Sequence, residues 1–402
     1  MRRVPSTPRP DAMRLVQAEG LSYATDRDAS GADRPYWRED AAYEFSSDEV
    51  DRLEAVTDEL HAMAMAATRR MAQDETVLRR LGLPPGCWPA LRASLDDEGE
   101  WSLYGRFDLA YDGSGEPRLL EYNADTPAGL VEAAVSQWSW LEALHPELDQ
   151  WNLLHERLVQ TFSRHVPPGA PMHFAVGASE PDEDWTTVAY LRDAAAEAGV
   201  ETLGITMESI GFDTVRRRFV DERGVDIALC FKMYPWEWML AEQGGGYQSE
   251  PGARTRWVEP MFKVLTGSKA LLPVLWRMYP GHPNLLPATF DGPASLRDWV
   301  AKPVFGWEGA GIQVVRGGRT QAAPERHTAG QQLVYQQYVD LPVLDGHRPV
   351  LGCWVVGGHA AGLGVRESTS LITDASARFV PHYLKAPRSS DEQVRAWLAQ
   401  DP

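Results

Sequence analysis

Residues 104–126 read YGRFDLAYDGSGEPRLLEYNADT. Two runs suited to strands, Tyr104–Tyr111 and Pro117–Asn123, flank the cluster Asp112-Gly113-Ser114-Gly115-Glu116. Gly and Asp supply the positive-φ and self-capping positions a reversal needs, so the stretch predicts a β-hairpin. A four-residue loop, Gly113 to Glu116, sets the register: Asp108 faces Glu121 and Arg106 faces Asn123. Side chains alternate along a strand, which puts these four polar groups on one face. Phe107, Leu109, Leu120 and Tyr122 then share the other face and pack inward. Directly opposed carboxylates have Cβ atoms about 5 Å apart and repel, so a cation belongs between them. Arg106 could supply it. The Asp108, Glu121 and Asn123 oxygens are better matched to Mg²⁺, a hard ion that takes carboxylates and completes its shell with phosphates. The plainer alternative is a solvated outer face carrying an Arg–Asp pair.

The chain has 402 residues, 44% hydrophobic and 24% charged, which is ordinary for a globular protein of one to three domains. A formal net charge of −18 argues against nucleic-acid and anionic-membrane partners, so any phosphate site must draw on locally placed Lys, Arg and backbone N–H groups. Cys87, Cys230 and Cys353 lie far apart in no metal-ligand spacing and read as buried small hydrophobes. The opening MRRVPSTPRPDAMRL lacks an apolar h-region, and no apolar run of 18 residues occurs, so a cytoplasmic protein is expected.

Residues 1–45 are rich in Pro, Arg and Asp and are expected to be irregular, anchored by Tyr36 and Trp37. Ser46 to Glu49 is a capping box that opens a long amphipathic helix, with Val50, Leu53, Val56, Leu60, Met63 and Ala67 stepping by three and four. Residues 170–212 change character. A strand at His173–Val176, a helix at Asp182–Gly199 and a strand at Val200–Ile205 make one βαβ-like unit. There is no G-x-G-x-x-G run, so a dinucleotide fingerprint is missing. Val225–Phe231 is a further strand, Gly244-Gly245-Gly246 a flexible loop, and residues 317–330 polar loop.

A second informative stretch is Ala301-Lys302-Pro303-Val304-Phe305-Gly306-Trp307-Glu308-Gly309-Ala310-Gly311-Ile312. Pro303 keeps Lys302 out of the α region, so its side chain leaves an extended backbone in a set direction. Gly306, Gly309 and Gly311 let successive N–H groups turn toward an anion. A tight hairpin using glycines for geometry is the plainer reading. A third stretch, Gly362-Leu363-Gly364-Val365-Arg366-Glu367, offers Arg366 either as a structural ion-pair partner or as a clamp on a transferring phosphoryl group. Carboxylates with Asn, two lysines, a glycine loop and an arginine together make a phosphoryl-transfer kit.

Six segments carry a resemblance. They are Gly105–Asp108, Glu121–Pro127 (EYNADTP), Phe231–Trp238 (FKMYPWEW), Ser268–Pro273 (SKALLP), Ala301–Pro303 with its loop, and Val334–Gln337. In order, from about residue 35 to about residue 385, they resemble the synthetase portion of the glutathionylspermidine synthase family. The resemblance implies an α+β and α/β architecture: an ATP-grasp fold in permuted order with a smaller Rossmann-like, pre-ATP-grasp domain. The expected division is an arm at 1–45, an ATP-grasp body at 46–165 and 255–385, the small domain at 166–254, and a tail at 386–402. It implies a C–N ligase in which ATP phosphorylates a small-molecule or peptide-like carboxylate and an amine attacks the acyl phosphate. Asp108, Glu121 and Asn123 would hold Mg²⁺. Lys269 and Lys302 would contact ATP, Gly306, Gly309 and Gly311 would cover its phosphates, and Gln336, Gln337, Tyr338 and Val339 would form the adenine hinge. Arg366 would stabilise the transition state, and Arg106 and Thr126 would sit on the acid's side. Glu237, between Trp236 and Trp238, is the candidate on the amine's side. Trp307 stands where a basic residue is common and Gly311 where Asn is common, and no cysteine sits in an amidase motif. Two other readings share the kit: a silent nucleotide-binding scaffold, and a small-molecule kinase.

Overall fold

The computed structural model describes residues 1–27, 33–242 and 254–386; the Gly244–Gly246 triplet and most of the tail lie outside the described residues. The hairpin forms as Tyr104–Ala110 and Arg118–Asn123. The Asp112 carboxylate accepts the backbone N–H groups of Ser114 and Gly115, both at 2.8 Å, and Gly113 takes φ 89°, which is why DGSG reverses the chain. Arg106 pairs with Asn123, Phe107 with Tyr122 and Asp108 with Glu121, in the expected register. The ladder then slips, and Leu109 pairs with Leu119. A one-residue slip exchanges faces. Leu119 is therefore fully buried in the core, and Leu120, expected to pack inward, borders the cleft described below.

The hairpin edges a five-stranded antiparallel sheet in the order 378–380, 359–368, 348–356, 104–110, 118–123. The helix Ser47–Gln73 packs across its strands Arg348–Val356 and His359–Ser368. Both halves of the capping box are made: Ser46 Oγ accepts from Glu49 N, and Glu49 Oε2 accepts from Ser46 N at 2.9 Å. All six of the periodic apolar residues are buried. A second five-stranded sheet, ordered 288–289, 333–337, 299–303, 313–316, 319–322, carries Lys302. Its last strand, Arg319–Ala322, falls where only loop was expected; its residues are exposed, so no apolar alternation marks it.

The βαβ-like unit is present as the strands Pro171–Val176 and Glu201–Thr206 joined by the helix Asp182–Glu197. Its sheet is four-stranded and parallel, in the order 256–258, 229–233, 171–176, 201–206, so the strand Arg256–Val258 joins it from beyond residue 254.

The arm at 1–45 is corrected. Arg2–Pro5 pairs with Ala41–Phe45, which pairs in turn with His382–Leu384, and Ala12–Ala18 is helical. Composition suggested a loop because the strands that satisfy this backbone are not its sequence neighbours: Arg2–Pro5 is met by Ala41–Phe45, and that strand by one more than 300 residues on. Trp37 is fully buried and stacks on Phe379 at 5.7 Å, an anchor of the kind expected. Arg3 and the Tyr43 hydroxyl both bind the Glu367 carboxylate, so these strands brace the residue next to Arg366. Among the described residues no helix is long and apolar enough to cross a membrane.

Two buried ion pairs join these parts. Lys263 Nζ lies 3.1 Å from Glu259 Oε2 and donates to the carbonyls of Tyr104 and Ala124, where the chain enters and leaves the open end of the hairpin. Glu259 Oε1 accepts from the N–H groups of Leu103 and Tyr104, both at 2.9 Å. Asp125 Oδ1 takes Lys232 Nζ at 2.8 Å, and its Oδ2 takes the Trp236 N–H at 2.7 Å, tying the hairpin exit to the parallel sheet. Removing one member of a buried pair strands the other charge at a cost of about 3–5 kcal/mol. Asp125→Ala should lower urea-unfolding stability by about that amount, and adding Lys232→Met should recover a substantial part of it. An Asp125→Ala protein as stable as wild type would show that the joint carries no such energy.

Candidate active site

The polar face of the hairpin opens into a cleft of about 320 Å³. Asp108, 3% exposed, lies at its floor between two guanidinium groups. Arg106 Nε reaches Asp108 Oδ1 at 2.7 Å, and Arg366 Nη2 reaches Asp108 Oδ2 at 2.6 Å. Arg106 also donates to the Ala128 carbonyl. Arg106 lies over Gly352, the residue paired with Asp108 on the neighbouring strand. A Cβ at Gly352 would stand 2.8 Å from Arg106 Cδ, so glycine there is what admits the guanidinium.

Glu121 faces Asp108 and is approached by Lys269 Nζ at 3.2 Å and by Asn123 Nδ2 at 3.2 Å. Burial opposes its ionisation, but the Lys269 and Lys302 ammonium groups and the Asn123 amide outweigh burial and hold the carboxyl well below its usual range. Lys269 also donates to the Gly306 carbonyl at 2.7 Å, linking the hairpin to the glycine loop. Lys302 is buried on its strand and donates to Leu120 O at 2.7 Å and Gln336 Oε1 at 2.8 Å. Burial pulls its ammonium down to about 8.

Of the residues singled out from sequence, Arg106, Asp108, Glu121, Asn123, Thr126, Glu237, Lys269, Lys302, Gly306, Gly309, Gln336, Gln337, Tyr338, Val339 and Arg366 all border this cleft. Gly311 does not. It has φ 68°, and a Cβ there would meet Thr328 Oγ1 at 2.3 Å and Pro303 Cγ at 2.8 Å, so its glycine serves packing behind the loop. Trp307 stacks on His327 with ring centroids 3.5 Å apart and meets the edge of Trp238 at 5.3 Å. Trp238 belongs to the helix Trp236–Ala241 and also borders the cleft, so this contact joins the glycine loop to that helix.

An acidic end was missed from sequence. Glu180, Glu183 and Asp184 border the cleft, and Glu237 borders it nearer Asp125 and Lys269. Burial raises Glu183 to about 8, helped by Glu132 and Asp184; burial raises Asp184 and Glu237 to about 7, helped by Glu180 and Asp125 respectively. In sequence, Asp182–Asp184 reads as ordinary first-turn charge for a helix dipole. The available signal was topological: this turn follows the C-terminal end of a parallel strand, where open α/β sheets place ligands. Glu132 was missed as well. It is fully buried in a π-helical turn, Glu132–Ser136, where it accepts from the hydroxyls of Tyr36 at 2.7 Å and Tyr23 at 3.0 Å.

The family model of the glutathionylspermidine synthase pre-ATP-grasp matches residues 3–385. A protein of Haemophilus influenzae described as a candidate acid–amine ligase is 37% identical, over 95% of this chain and 99% of that one. Trypanothione synthetase of Crithidia fasciculata is 27% identical over 85% of this chain and 57% of its own length. The bifunctional glutathionylspermidine synthetase/amidase of Escherichia coli is 25% identical over 84% of this chain and 58% of its own. This chain thus spans a little over half the length of those two relatives. Among solved structures, an apo glutathione synthetase-like effector of Globodera pallida superposes with a TM-score of 0.55 at 11% identity, covering 94% of this chain and 98% of the other, a likeness of fold. With a family model spanning nearly its whole length, the chain belongs to the glutathionylspermidine synthase pre-ATP-grasp family.

Proposed function

We propose that this protein is an ATP- and Mg²⁺-dependent carboxylate–amine ligase with an ATP-grasp body in permuted order, working through an acyl phosphate. One observation carries the reading: the opposed carboxylates, two lysines, the glycine loop and two arginines border a single cleft that also has an acidic end. Its membership of a synthetase family supports the same class.

Asp108, Glu121 and Asn123 would hold Mg²⁺. The set fits in that three oxygen-bearing side chains share one face and Glu121 is kept ionised by its lysines; the Arg106 and Arg366 guanidinium groups that occupy both Asp108 oxygens would share that carboxylate with the ion. Among the described residues no group of three or more His, Cys, Asp or Glu is arranged for a metal, so phosphate oxygens would complete the shell, as is usual for Mg²⁺ with nucleotides. When bound, the ion offsets the repulsion between phosphate and an incoming carboxylate.

The chain's own groups do the remaining work. Lys269 and Lys302 neutralise the phosphates, and the glycine loop covers them while Gln337, Tyr338 and Val339 flank the base. Arg106 and Thr126 orient the acid. Its carboxylate oxygen bonds to the γ-phosphorus as the bond to ADP breaks, and Arg366 stabilises charge on the transferring group. The amine nitrogen then bonds to the acyl carbon, phosphate leaves, and the surplus proton passes to a carboxylate. Glu237 and Asp184, with carboxyls near neutrality, suit that acceptor and also attract a cationic amine.

Incubation with ATP, Mg²⁺ and a panel of acids and amines tests the class. ADP formation that needs both an acid and an amine, with an amide detected by mass spectrometry, is the expected result. A phosphate ester formed without amine would make the protein a kinase, and tight ATP binding with no turnover would make it a scaffold.

Arg366→Ala should leave ATP affinity nearly intact and reduce ATP turnover by about 10²–10³-fold. Equal loss of binding and turnover would contradict its role. Asn123→Leu should weaken binding of ATP with Mg²⁺ more than binding of free ATP, compared by calorimetry with and without the ion. The amine KM should rise as pH falls through about 7, because Glu237 and Asp184 then gain protons and lose their charge. Glu237→Gln should raise that KM at alkaline pH and flatten its pH profile; an unchanged profile would remove Glu237 from the amine end.

A further inference from the structure

Gln336 lies one residue from the end of the strand Leu333–Gln337 and opens the segment Gln336–Val339 expected to form the adenine hinge, yet it is only 2% exposed and both ends of its amide are engaged. Oε1 accepts from Lys302 Nζ at 2.8 Å, and Nε2 donates to Leu119 O at 2.9 Å. Only one amide orientation satisfies both contacts, since the reverse would set an NH₂ against an ammonium and an oxygen against a carbonyl. Lys302 completes the link by donating to Leu120 O at 2.7 Å. Leu120 is the residue that the register slip leaves without a partner across the hairpin, and its carbonyl faces the lysine.

The result is a closed connection between two sheets. The strand of Lys302 and the neighbouring strand of Gln336 both bind successive carbonyls of the strand that carries Glu121. Lys302 is buried, and a buried ammonium keeps and aims its charge only where acceptors are held against it. Gln336 is one of the two side-chain or main-chain acceptors that meet it.

We infer that Gln336 is a positioning residue that acts on the nucleotide's phosphates through Lys302, and does not read the adenine ring. The inference rests on the reading that Lys302 meets those phosphates. It also makes the lysine strand and the Glu121 strand move as one body, so that phosphate and carboxylate geometry are set together.

The test compares wild type, Gln336→Met, Lys302→Met and the double variant. Each is titrated by calorimetry with ATP, ADP, adenosine and GTP. Gln336→Met keeps the length of the side chain and removes both hydrogen bonds. It should weaken ATP and ADP about tenfold, leave adenosine binding and the ATP-over-GTP preference unchanged, and cost less than twofold further when Lys302 is already Met. A changed base preference, or losses that multiply in the double variant, would overturn the inference and return Gln336 to the hinge. Should wild type bind no nucleotide, the nucleotide reading fails by itself. Thermal unfolding of the same four proteins then decides the pairing: destabilisation by Gln336→Met that shrinks in the Lys302→Met background supports it, and fully additive losses exclude it.

Discussion

Two carboxylates set face to face across a two-stranded ladder repel each other, and most of this architecture answers that repulsion. Asp108 and Glu121 are directly paired, the first buried and the second half-buried, where like charges are costly. Arg106 and Arg366 neutralise the first, and Lys269 the second. These cations come from the same strand, from a strand two places away in the sheet, and from the segment ahead of a distant helix. Each has its own support. Gly352 makes room for Arg106, the strands of the first 45 residues brace Glu367 beside Arg366, and Lys269 rests on the Gly306 carbonyl.

The same logic appears in the joints. Lys263 and Lys232 are fully buried, and each is matched by a carboxylate whose other oxygen accepts from backbone N–H groups. Such pairs contribute little net stability but discriminate strongly against misplacement, because either partner alone would be left charged in a poor solvent. They hold the entrance and exit of the hairpin, where a shift of about 1 Å would separate groups meant to act on one phosphate. The preorganisation of the cleft therefore rests on buried charge as much as on apolar packing.

Trp307 and Gly311, the two positions in the glycine loop that sequence singled out, have different structural meanings. Gly311 is packed against Thr328 and Pro303 and does not border the cleft, so a residue with a side chain would require the loop to be rebuilt. Trp307 borders the cleft and is held by His327 on one side and Trp238 on the other. This aromatic contact ties the loop to the helix Trp236–Ala241 by dispersion and ring geometry.

Local sequence determined the elements whose chemistry is local. The DGSG reversal, the register of Arg106, Asp108, Glu121 and Asn123, the capping box at Ser46 and the βαβ order all follow from residue types at short spacing, where turn propensity and periodicity act. The slip that turned Leu120 toward the cleft was not legible, because a bulge depends on what the neighbouring sheet asks of the strand. The pairing of the first 45 residues with a strand near position 383, the acidic end at Glu183 and Asp184, and the use of Gln336 as a strut for Lys302 were hidden for a related reason. Each depends on groups from distant segments meeting in low dielectric, where pairing and desolvation decide orientation, and no spacing along the chain records that meeting.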